Sequence, residues 1–164
     1  RLFREENNKS LLIHIDDSLE SLNIANTIQD ILDIPIQLIT NTTNIDFLSQ
    51  ISKSQFSRLF TPVNNAIKLP IAIPIIKLSD INNFNFKSYD RVMVDFENAQ
   101  FKNIEVKGST KLSIINSVCN TPDLVEINKN STNIDSVYLG KDYYGVHFAG
   151  QKLWRLAEKA QFAI

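Results

Sequence analysis

Apolar residues are gathered into blocks of two kinds. Leu11 to Ile15 (LLIHI), Ile36 to Ile39 (IQLI), Arg91 to Val94 (RVMV), Lys111 to Val118 (KLSIINSV) and Asp135 to Gly140 (DSVYLG) are short runs rich in branched side chains. Each stops at a polar or turn-forming residue, as strands in a sheet covered on both faces do. Between the first two, Leu22, Ala25, Ile28 and Leu32 recur at the helical period, with Ser18 placed to cap the start and Pro35 to end the helix. A second helix is expected from Asn44 to about Phe60, with Phe47, Leu48, Ile51 and Phe56 on one side. Thr121 before Pro122 marks a short third helix, and Leu153, Leu156, Ala157 and Ala160 mark a last one. From 52 to 86, around KLPIAIPIIKL, neither period holds and the segment reads as an insertion; residues 1–10 read as a charged lead-in.

Strands alternating with helices predict an α/β fold with a five-stranded parallel sheet. At 164 residues the chain suits one domain, 1–164, and 43% apolar with 21% charged residues is the balance of a globular protein. Basic and acidic side chains nearly cancel, to a formal charge of -1, and no run of Lys or Arg tracks a phosphate backbone, so nucleic acid is disfavoured as a direct partner. The single Cys119 excludes an intramolecular disulfide and a Cys-based zinc site, which points to a reducing, cytoplasmic setting. KLPIAIPIIKL is too short for a membrane span and holds two prolines.

The candidate chemistry lies at strand ends, where parallel sheets place their working groups. Asp16 and Asp17 follow the first run, Asp95 the third, Ser117 the fourth and Lys141 the fifth. Three carboxylates sharing a cleft repel one another unless a divalent cation neutralises them, and Mg2+ suits such oxygen ligands. His14 reads as a packing residue.

These features together resemble the receiver domain of two-component response regulators. LLIHIDDS is similar to the family's first strand with its acidic pair, and YDRVMVDFENAQFKNIEV to the strand and loop around the phospho-accepting aspartate. VYLGKDY is similar to the fifth strand, with an aromatic residue three positions before a lysine. The resemblance implies a flavodoxin-like, doubly wound sheet. It implies Mg2+ held by Asp16, Asp17 and Asp95 with the Glu97 carbonyl, phosphorylation of Asp95, and Lys141 on a phosphate oxygen. It assigns the switch hydroxyl to Ser117 or Thr121 and the rotating aromatic to Tyr138. The implied partners are a histidine kinase or phosphotransfer protein and a downstream protein or output domain, and a homodimer is compatible with it. Asp95 lies about twice as far from the acidic pair as this likeness requires, which is why 52–86 reads as an insertion. Asp142 stands where the family has a proline, and Asn98-Ala99 replaces its Met-Pro pair, so a receiver-like interaction module that is never phosphorylated is one alternative.

A second alternative is an Mg2+-dependent nuclease. Asp90 with Glu105-Val106-Lys107 resembles the two acids and lysine that a hairpin carries in restriction-type endonucleases. VDFEN, AQFKN and IEVKG resemble units of a pentapeptide solenoid, but three units are less than one coil.

Overall fold

The computed structural model describes residues 9–31, 36–52, 56, 58–66, 72–118, 122–123, 133–139 and 144–147. In chain order they form β1 (Lys9–His14), α1 (Leu19–Ile31), β2 (Ile36–Ile39), α2 (Ile45–Ser52), β3 (Arg58–Pro62), the single turn α3 (Val63–Ala66) and β4 (Ala72–Lys77). Two 3-10 turns (Leu78–Asn83 and Phe86–Ser88) lead to β5 (Arg91–Asp95), β6 (Lys111–Ile115), β7 (Ile134–Leu139) and β8 (Tyr144–His147). The expected helix beyond residue 123, Lys141 and the terminal helix lie outside the described residues.

The strands follow one another around a closed barrel. β1 to β7 are parallel to their neighbours, while β8 runs antiparallel between β7 and β1 and closes the ring. The α/β class is as expected. The sheet, however, has seven parallel strands rather than five, and the two additional ones, β3 and β4, come from the segment read as an insertion. In a flavodoxin-like order the first strand would lie beside the third; here β1 is flanked by β2 and β8. The prolines obscured β4, since a proline argues against a central strand. Pro74 is accommodated because β4 pairs with β3 there and joins β5 only from Ile75 onward, so the missing N–H falls where the strand has one neighbour.

Local signals set the first half of the chain. The Ser18 hydroxyl accepts from the Ser21 N–H at 3.2 Å and caps α1, which buries Ala25 and half-buries Leu22 and Ile28. Asn44 caps α2 by accepting from the Phe47 N–H at 3.1 Å. That helix ends at Ser52, well short of Phe60, because the chain is taken over by β3.

Three apolar clusters follow from strand alternation. Outside the barrel, Ile13, Ile15, Ile36, Leu38 and Leu59 pack against Ala25, Phe47, Leu48 and Ile51 of the helices. On the far side Val92, Val94, Leu112, Ile114 and Val137 pack beneath Phe96 and Ile104 of the β5–β6 connection. Inside, Leu12, Ile39, Phe60, Met93, Ile115 and Tyr138 form the plug, with Phe60 edge-on to Tyr138 at 5.9 Å between ring centroids. Among the described residues no helix is long and apolar enough to cross a membrane.

Phe60 fills the middle of that plug and is fully buried. Phe60→Ala is expected to lower stability by about 3–5 kcal/mol, read from urea denaturation, because a barrel interior cannot collapse onto a cavity.

Candidate functional site

The plug divides the barrel into two ends of different chemistry. At the carboxyl end of the parallel strands, His14, Lys77 and Asp95 occupy the last positions of β1, β4 and β5. By the two-residue period they share the inner face with Leu12, Ile75 and Met93. Lys77 and Asp95 are register partners on adjacent strands, so a cation and a carboxylate stand side by side at the rim. His14 is exposed at this rim rather than packed. The partial burial it does have lowers its pKa from 6.5, so the neutral imidazole prevails at neutral pH.

Asp95 is half-buried and fixed on one side. Its Oδ1 accepts from the Glu97 N–H at 2.8 Å and from the Asn116 side-chain amide at 3.1 Å, and its Oδ2 accepts no hydrogen bond among the described residues. The backbone that supplies these donors is tightly turned. Glu97, Asn98 and Asn116 all have φ between 53° and 67°, and the Asn98 N–H donates to the Asn116 carbonyl at 2.8 Å. Asn tolerates the left-handed region; Glu does so less readily, at a cost on the order of 1 kcal/mol. The Ser117 hydroxyl oxygen, one residue beyond, is buried without a hydrogen-bond partner. The Glu97 carboxylate is exposed, with Ser79 Oγ donating to it at a long 3.4 Å.

The acidic pair behaves differently. Asp16 Oδ1 accepts from the Ser18 N–H (2.9 Å), the Ser18 hydroxyl (2.5 Å) and the Ser21 hydroxyl (2.8 Å), so this carboxylate is the anchor of the α1 N-terminus. These bonds, that of the Ser18 hydroxyl foremost, lower its pKa from 3.8. Asp17 is exposed beside it, and both line a cleft of about 500 Å³ with His14, Thr40, Asn41 and Thr42 between the carboxyl ends of β1 and β2.

The structure does not bring the acidic pair to Asp95. Three strands separate β1 from β5 whichever way the ring is followed. The reason is the extra pair β3 and β4, which moves Asp95 from the third strand to the fifth. Among the described residues no group of three or more His, Cys, Asp or Glu side chains is placed to hold a metal ion. Tyr138 is buried inside the plug, and its hydroxyl donates to Gln37 Oε1. Burial pushes its pKa up to about 12, against the opposing pull of Arg58 and then Arg91, so it stays a donor at physiological pH. Thr121 and Lys141 lie outside the described residues.

Of the three groups in the nuclease alternative, Asp90 precedes β5 and Glu105 and Lys107 sit in the strandless stretch before β6. β5 and β6 are parallel, so the hairpin that would gather the three groups is not formed. The partner the sequence did not reveal is Lys77. It lies in KLPIAIPIIKL, and only the β4–β5 register shows that it neighbours Asp95.

Two titrations check these environments. The Asp16 pKa is depressed, so its contribution to stability is full above the unfolded value of 3.8 and is lost as pH falls through the lower folded value. Asp16→Ala should therefore be less stable than wild type at pH 7, with the gap closing as the pH drops below 3.8, in chemical denaturation at each pH. The His14 ring protons should titrate by NMR with a midpoint below 6.5, and the cost of burying that imidazole should appear as stability lost on acidification below 6.5. No family model matches the chain, and no curated protein or solved structure shows significant similarity to it.

Proposed function

We propose that this chain is a regulatory domain that accepts a phosphoryl group on Asp95 at the carboxyl rim of its barrel. The observation that carries this reading is the asymmetry of the carboxylate: Oδ1 is held by two donors, while Oδ2 is left without one, with Lys77 on the adjacent strand. A nucleophile oriented in this way has given up its rotational freedom before reaction. The Oδ2 lone pair attacks phosphorus as the bond from phosphorus to the donor's leaving atom breaks, an imidazole nitrogen in a phosphohistidine and a carboxylate oxygen in acetyl phosphate. The leaving group keeps that electron pair: acetate departs as the anion without a proton, and an imidazole departs neutral when its other ring nitrogen carries a proton. Lys77, in the role expected of Lys141, would balance charge gathering on the equatorial oxygens. Ser117 follows the Asn116 that donates to Asp95, and its buried hydroxyl has no partner among the described residues, which supports the switch role that the receiver likeness gives it.

Asp16 and Asp17 stand apart from Asp95 in the strand order, so in this reading the attack on phosphorus is carried by Asp95 and Lys77. A histidine kinase or phosphotransfer protein as donor, and a downstream protein as reader of the modified rim, are the partners that belong to this reading.

Acetyl phosphate tests it, with and without Mg2+. Intact mass measurement should show one added phosphoryl group, removed by hydroxylamine and absent in Asp95→Asn. Lys77→Ala should slow labelling by about tenfold or more, the scale at which a charge-stabilising donor acts. Unlabelled wild type, or equal labelling of Asp95→Asn, would overturn the reading.

A further inference from the structure

At the opposite end of the barrel Arg58 lies against the Tyr138 hydroxyl, and one of its guanidinium nitrogens is buried without an acceptor among the described residues. Arg58 and Arg91 begin β3 and β5, on the inner face beneath Phe60 and Met93. Arg91 donates to both oxygens of Asp135, at 2.5 and 2.6 Å, so that carboxylate is engaged in a two-pronged ion pair. Gln37, the register partner of Arg58, has its amide oxygen taken by the Tyr138 hydroxyl. Arg58 is left with a buried Nη1 that has no acceptor. A guanidinium cannot shed its proton to escape this, unlike a buried lysine. The residue as a whole is only partly buried, and the Asp135 side chain at the same end is 33% exposed, so solvent reaches this mouth beside the buried Nη1.

We propose that the amino-terminal mouth of the barrel is a binding site for a small oxyanion, a carboxylate or phosphate group, centred on the Arg58 guanidinium. The planar fork of donors matches the paired oxygens of such a group. Asp135 enforces the division of labour by holding Arg91 and leaving the second guanidinium as the surplus charge. The site is independent of the Asp95 reading, since the apolar plug lies between the two ends.

Thermal melts of the full chain, in phosphate, acetate or chloride at matched pH and ionic strength, test this. The melting temperature of the wild type should rise saturably with phosphate or acetate, as mass action on a folded-state site requires. Arg58→Met should melt near the wild-type temperature in chloride and lose the saturable rise. Which anion saturates at the lower concentration distinguishes a phosphate from a carboxylate ligand. If the variant does not fold, the Arg58 Nε–H resonance of the wild type should still move on titration with inorganic phosphate. An unmoved resonance, an unresponsive wild type, or equal shifts in both proteins, the mark of a general salt effect, would overturn the proposal.

Discussion

Closing a parallel sheet into a ring obliges its strands to bury an inner face that no helix can cover. That inner face must be filled by the strands' own side chains. Leu12, Ile39, Phe60, Met93, Ile115 and Tyr138 do this, each from a different strand. The plug explains why the runs are apolar throughout rather than alternating: one set of residues faces the lumen and the other faces the helices and connections. It also explains why the largest polar member, Tyr138, has its hydroxyl paired with Gln37, since an unpaired hydroxyl there would be costly.

Because the plug is apolar, polar groups on the inner face are pushed to the two ends. The carboxyl end collects His14, Lys77 and Asp95, three different kinds of titratable group at the final positions of their strands. There, hydrogen bonds and backbone turns hold Asp95 by one of its oxygens. The amino end collects Arg58, Arg91 and Asp135, and Arg91 is joined by hydrogen bonds across strands to Ser113 and Asp135. A bulge in β7 between the residues paired with Leu112 and Ser113 places Asp135 where Arg91 can reach it. One ion pair and one remaining guanidinium therefore arise from a single irregularity in register.

The sequence by itself determined the local elements. Branched apolar runs made β1, β2, β5, β6 and β7; the hydroxyl of Ser18 and the period of Leu22, Ala25 and Ile28 made α1; Asn44 started α2. It also determined that Asp95 ends a buried strand, because a carboxylate after RVMV has nowhere else to go. It did not reveal β3 and β4, where Pro62 and Pro74 lie in stretches whose pairing is set by their neighbours. Nor could it show that Asp16 is spent on capping, which depends on where the Ser18 and Ser21 hydroxyls turn. Only the tertiary structure decided which strand ends meet. Strand order is fixed by long-range pairing, not by any run's own composition, and it set the acidic pair three strands away from Asp95 while bringing Lys77 beside it.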